Sequence, residues 1–113
     1  MSNLGNSPTI EARPAPAEQI AQLRAIRALV DELAGNTPDN GATADDLDRR
    51  YDHASSIVQR RFDALAGETA AYAADGLSAL IAGRGAGAMV AGAAAHLARE
   101  MARSIRRMEM LLN

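Results

Sequence analysis

Apolar residues recur at alternating intervals of four and three along the middle of the chain. A stripe with this period is typical of an α-helix that lies against another helix, as in a coiled coil. We therefore predict a long helix over residues 44–82. The stripe consists of Tyr51, Ser55, Val58, Phe62, Leu65, Thr69, Tyr72, Gly76 and Ala79.

A second stripe with the same period follows near the C-terminus. It predicts a helix over residues 86–112. Between the two stripes lies a glycine-rich run at residues 83–87. Each glycine costs roughly 1 kcal/mol in a helix interior, so a turn is favoured there. The second stripe consists of Val90, Ala94, Leu97, Met101, Ser104, Met108 and Leu111, widened by Ile105 and Leu112.

Together these elements predict a long helical hairpin in which residues equidistant from the turn face each other. Gly76 and Ala79 would then meet Gly87 and Ala91, so the two backbones could approach closely near the turn. Phe62 would meet Ile105 further out, as part of a core of larger side chains. The hairpin is predicted to be narrow at the turn and wider at its open end.

A shorter helix is predicted over residues 16–34. Pro16 suits the first helical position, and Gly35 suits the position just after the last turn. Its apolar stripe must be buried against the hairpin or against another molecule, which predicts a three-helix bundle or a helical dimer. That stripe consists of Leu23, Ile26, Val30 and Leu33, with Ile20 and Leu29 beside it.

Two local signals bear on where the long helix starts and whether it is continuous. Thr43 is expected to cap it, with Asp46 at the capping-box position. The run that ends at Gly67 resembles the run that ends the first helix at Gly35. A break at Gly67, which would give four helices, is therefore the alternative to one continuous helix.

Composition agrees with a small all-α protein. The chain has 113 residues, 3% aromatics, no cysteine and a net charge of −2. A slight negative charge does not favour nucleic acid as the main partner. We expect a disordered tail at 1–15, a single helical domain at 16–113, and a cytoplasmic location because no basic and apolar leader pattern is present at the N-terminus.

Few residues suggest chemistry. The glycine run at 83–87 lacks the flanking strands of a dinucleotide-binding fingerprint. His96 and Glu100 lie one turn apart, but two ligands do not make a metal site. A hydrogen bond between His96 and Tyr72, which would face each other in the hairpin, is the simpler expectation. We predict no catalytic residue, no cofactor and no metal.

Arginines on the C-terminal helix are the candidate partner-binding residues: Arg99, Arg103, Arg106 and Arg107. We expect a non-enzymatic scaffold, adaptor or regulatory protein that acts through helix–helix contacts. Its expected partners are a second copy of itself, in a homodimer, and another protein. The alternative is a membrane-surface or nucleic-acid binder that uses the arginine face. Apolar residues off the stripes favour the dimer: Ile57, Leu77, Ile81, Met89 and Met110.

Overall fold

The protein is all-α over residues 15–36, 46–83 and 88–113, which are the parts of the chain that a computed structural model describes. These ranges contain four helices. They are α1 (Pro16–Ala34), α2 (Leu47–His53), α3 (Ser56–Ala82) and α4 (Ala88–Leu111). The predicted all-α fold with a helical hairpin and a shorter N-terminal helix is confirmed. The tail expected at 1–15 lies outside the described residues except for Ala15.

The bounds of α1 agree with the prediction because both ends depend on local signals. Pro16 is its first residue. At the other end Gly35 has a left-handed backbone, with φ of 80°. The Gly35 N–H donates to the Glu32 carbonyl at 3.0 Å, and the Asn36 N–H donates to the Asp31 carbonyl at 2.9 Å. This pair of hydrogen bonds is the Schellman motif, which satisfies carbonyls at a helix end.

One continuous helix over residues 44–82 is the part of the prediction that is wrong. The chain leaves the helical conformation at Ala54 and Ser55, where ψ is 158° at both residues. The Ser55 hydroxyl then accepts a hydrogen bond from the Val58 N–H at 3.2 Å and caps α3. A serine at this position supplies the acceptor that the first turn of a helix lacks, so it favours a new helix start.

The alternative break at Gly67 is also wrong. Helix α3 runs through Gly67 without interruption. This glycine is exposed and a Cβ atom added there would contact nothing within 4 Å. A single exposed glycine costs only about 1 kcal/mol, which the burial of the flanking turns offsets. The capping residue predicted at Thr43 lies outside the described residues, and α2 begins at Leu47.

Helix α2 lies at the end of the bundle where α1 begins and α4 ends. Leu47 is buried in the core beside α1 and α4. Its neighbour Asp48 accepts a hydrogen bond from the Ala17 N–H at 2.9 Å, which satisfies a free donor in the first turn of α1. On the other side, Arg50 donates to Asn113 Oδ1 at 2.6 Å. Because the chain breaks between α2 and α3, α2 is a separate helix, and it makes both of these contacts.

The core consists of two apolar clusters along α4. One contains Phe62 together with Ile105 and Met108, as the hairpin prediction expects. The second contains Val30 of α1 and the small residues Ala73, Ala94 and Ala98, with Leu80, Leu97 and Met101. Helix α1 packs mainly on α4 and much less on α3. An ion pair between Arg24 and Glu109 adds a polar contact between α1 and α4.

Two details of the predicted packing differ. Leu33, expected on the buried stripe of α1, is 46% exposed, and Asp31 occupies the buried side instead at 4%. The predicted approach of Gly76 to Gly87 cannot be described, because Gly87 lies outside the described residues. Gly76 instead lies against Leu97, whose Cδ2 atom would be 2.7 Å from an added Cβ. The close approach at Gly76 is therefore between a helix backbone and a leucine side chain.

Candidate interaction surface

The buried stripe of α3 differs in phase from the predicted one. The buried residues are Phe62, Ala66, Thr69, Ala73 and Leu80. Phe62 and Thr69 belong to both stripes, but Ala66, Ala73 and Leu80 are buried in place of the predicted Leu65, Tyr72 and Ala79. Each buried residue is one position later in the chain than the predicted one. Tyr72 and Ala79 of the predicted stripe are consequently exposed.

These displaced residues line a groove between α3 and α4, which we call the Tyr72 groove. Its volume is about 360 Å³. The floor is apolar, and the small residues Gly76 and Ala93 leave space above it. The structure brings Tyr72 and His96, which were expected to face each other, to this same groove. Its rim includes Tyr72, Ala79, Met89 and His96.

A second groove lies between the same two helices near the C-terminal end of α4. This Arg61 groove has a volume of about 480 Å³. Arg61 of α3 and Arg107 of α4 lie at its edges, on opposite sides of an apolar floor. That floor is formed by Ala64, Leu65, Met110 and Leu111.

Both grooves are on the side of the hairpin that α1 does not cover. No residue of α1 is among the residues that line either groove, within the described part of the chain. Several large apolar side chains are exposed along this face or at its ends. Ile57 is 60% exposed, Tyr72 43%, Met89 78% and Met110 61%. We call the combined surface the α3–α4 groove.

The four predicted arginines are all exposed but do not act as one group. Arg99 and Arg106 lie on the outward face of α4, and Arg103 lies nearer the groove, seven residues before Met110 of its floor. Arg103 pairs with Glu100 at 3.2 Å, an exposed pair within one helix. Arg107 lies about 100° around α4 from Arg106. It is on the groove side and faces Arg61 across the Arg61 groove. Sequence reasoning missed Arg61, because it treated α3 only as a source of apolar contacts.

The described residues offer little for chemistry. Within 15–36, 46–83 and 88–113, no three histidine, aspartate or glutamate side chains form a group that could hold a metal ion. The His53 ring is used locally, with Nδ1 2.8 Å from the Arg49 carbonyl oxygen. None of the helices in these ranges has both the length and the apolar character to cross a membrane.

Comparisons with known proteins add no assignment. No protein-family model matches the sequence, and neither the curated proteins nor the solved structures contain a match to this chain.

Proposed function

We propose that the protein is a non-enzymatic helical interaction module, acting as a scaffold, adaptor or regulator. In this proposal the α3–α4 groove binds an amphipathic helix of a protein partner. The supporting observation is the open apolar face between α3 and α4, with Tyr72, Met89 and Met110 exposed along it. Exposed apolar surface of this kind marks interaction sites in water-soluble helical proteins.

A helix is the partner element that fits this face. Two antiparallel helices form a groove whose direction follows their axes, and a third helix laid along it can insert its ridge of side chains. Small residues at Gly76, Ala79 and Ala93 let the incoming backbone approach closely. An extended strand would leave its backbone N–H and C=O groups without partners against an apolar floor.

The groove lining also supports the non-enzymatic part of the proposal. The ionisable groups at the Tyr72 groove are Tyr72 and His96. General acid–base or nucleophilic catalysis requires a base held against a nucleophile or a second titratable group by further hydrogen bonds. We propose the cytoplasm as the place of action, as the sequence led us to expect.

The alternative function remains a binder of anionic membrane surfaces or nucleic acid. The exposure of Arg99, Arg103 and Arg106 on one face of α4 favours it. Such binding would depend on phosphate contacts and would weaken steeply as salt rises. Binding to a protein helix in an apolar groove would change much less with salt.

A photo-crosslinking experiment tests the groove. Benzoylphenylalanine is placed at Tyr72, on the groove rim, or at Ala74, which is exposed on the opposite side of α3. After irradiation of intact cells that make the full chain, crosslinked peptides are identified by mass spectrometry. The expected result is a crosslink from Tyr72 to one amphipathic helical segment, with none from Ala74. No crosslink from Tyr72, or the same products from both positions, would contradict the proposal.

A further inference from the structure

Charges along the α3–α4 groove have a regular arrangement. On α3, Arg61 precedes Glu68 by seven residues, and on α4, Glu100 precedes Arg107 by seven residues. Seven residues make two helical turns, so each pair shares one face within about 20°. The two charges of a pair are separated by about 10 Å along the helix axis.

The antiparallel course of α3 and α4 brings like charges to the same level. Arg61 and Arg107 line the same end of the groove. Two turns along both helices, toward the Tyr72 groove, Glu68 and Glu100 occupy the next level by helix geometry. The groove therefore carries two positive charges at one level and two negative charges about 10 Å away. Arg103 lies between these levels on α4, where it pairs with Glu100.

We infer that a second copy of this chain packs face to face on the α3–α4 groove, about a two-fold axis that crosses α3 and α4 between these charge levels. This inference rests on the proposed function of the α3–α4 groove as a surface that binds helices. The rotation places each α3 antiparallel to the α3 of the other copy, and each α4 antiparallel to the other α4. Arg61 then faces Glu68 of the second copy, and Arg107 faces its Glu100.

The charge pattern selects this arrangement over the other closed pairing of the same two faces. A two-fold axis parallel to the helices would set Arg61 opposite Arg107 of the second copy and Glu68 opposite Glu100. Like charges opposed across an interface are strongly unfavourable. The surface of a closed two-fold dimer must be complementary to itself. Of the two axes, only the one that crosses the helices places opposite charges against each other along the groove.

The same register covers exposed apolar side chains. The axis passes at the level of Ala64 and Leu65 on α3, where the small alanine permits close approach. At equal distances on either side, Ile57 meets Tyr72 of the second copy. Met110 likewise reaches the level of His96 and Leu97, at the Tyr72 groove of the second copy. Three of the large exposed apolar residues thus become buried.

The interface is of a size that predicts a weak dimer. The overlapping part of α3 is about 27 Å long at 1.5 Å per residue, and two helices side by side are about 20 Å wide. The patch is then roughly 540 Å² per copy, or about 1,100 Å² in total, near the lower limit for a specific interface. Glu100 must also share its carboxylate with Arg103, which pairs with it at 3.2 Å in the isolated chain.

Charge reversal on the full-length protein tests the inference. An acidic variant carries Arg61→Glu with Arg107→Glu, and a basic variant carries Glu68→Arg with Glu100→Arg. Each variant carries four like charges on this face of each copy, and the two copies of a homodimer would bring both sets together, so we expect the dissociation constant of the homodimer to rise roughly hundredfold. An equimolar mixture of the two variants should form a heterodimer. The fourfold variant, which reverses the whole pattern, should form a homodimer again. Sedimentation velocity over a range from low micromolar to near millimolar concentration measures all four samples.

A matched control carries Arg99→Glu with Arg106→Glu, which changes the net charge equally on the outward face of α4. It should dimerise like the original chain, and circular dichroism should show helical spectra for every variant. A monomeric original chain at all concentrations, or a mixture that stays monomeric, would overturn the inference. If the original chain is monomeric but the Tyr72 crosslink reaches a different protein, the dimer fails and the proposed function stands. If that crosslink reaches nothing, both fail.

Discussion

Replacing Gly76 and Gly67 by alanine separates close helix packing from helix propensity. Both glycines lie inside α3. Alanine has a more favourable helix propensity than glycine, by about 1 kcal/mol, at both positions. Their surroundings differ. An added Cβ at Gly67 meets nothing within 4 Å, whereas at Gly76 it would lie 2.7 and 2.9 Å from the two methyl carbons of Leu97.

The cost at Gly76 depends on whether Leu97 can move. Leu97 is only 4% exposed but also lines the Tyr72 groove, so a new rotamer either displaces core atoms or enters the groove. Overpacking of this kind costs typically about 1–3 kcal/mol. Since the propensity gain is the same at both sites, the difference between the two variants measures the overlap alone. We expect Gly67→Ala to raise the free energy of unfolding by about 1 kcal/mol. The free energy of unfolding of the Gly76→Ala variant should be lower than that of the Gly67→Ala variant by about 1–3 kcal/mol.

Urea unfolding followed by circular dichroism at the helix band measures both variants. Gly92→Ala in α4 is a further control, because a Cβ there also meets nothing within 4 Å. The denaturant slope should stay constant, so that a shift of the midpoint reports stability. If Gly76→Ala gains as much as Gly67→Ala, then Leu97 does not press against the α3 backbone, and the reasoning is wrong.

Further variants test the core, a helix start and the arginines. Phe62→Ala should lower the free energy of unfolding by about 3–5 kcal/mol, because the ring is fully buried; Leu29→Ala, at a residue 55% exposed, should change it by less than about 0.5 kcal/mol in the same urea series. Ser55→Ala should cost about 1 kcal/mol through loss of the α3 cap, and Ser55→Asp should restore it. Duplex DNA should bind weakly in fluorescence anisotropy titrations; a tight, salt-sensitive complex lost in Arg103→Ala with Arg107→Ala would contradict this.

Local signals account for the parts of the fold that the sequence predicted well. The ends of α1 depend on Pro16 and Gly35, whose effects act within one turn. The stripe predicted for α4, with Ile105 and Leu112 beside it, contains most of the buried residues of that helix, because large side chains dominate it. On α3 eight of the 27 residues are alanine, and alanines stand beside the larger residues, so the stripe could be assigned to either of two neighbouring sets of positions. Tyr72 and Ala79, which the prediction assigned to the core, line an open surface.

The break before α3 depends on tertiary contacts that no local pattern specifies. Ser55 fits the apolar period by position, although a serine is also a favourable N-cap. What decides between these roles is the position of α2, where Asp48 reaches the start of α1 and Arg50 reaches Asn113. These contacts join residues far apart in the sequence. The sequence also offered the Arg61–Glu68 and Glu100–Arg107 spacing, which gains meaning only when the two helices are set side by side.

Helix α1 is packed mainly on α4, the helix farthest from it along the chain, and this order has a kinetic consequence. The Arg24–Glu109 contact closes a loop of 85 residues, about four times the span between Gly76 and Leu97. Each doubling of a loop adds about 0.6 kcal/mol of closure entropy, so docking α1 costs about 1.2 kcal/mol more than closing the hairpin. The hairpin should therefore form first, and α1 should dock last. Hydrogen-exchange labelling during refolding should then show protected amides in the middle of α3 and α4 before they appear in α1.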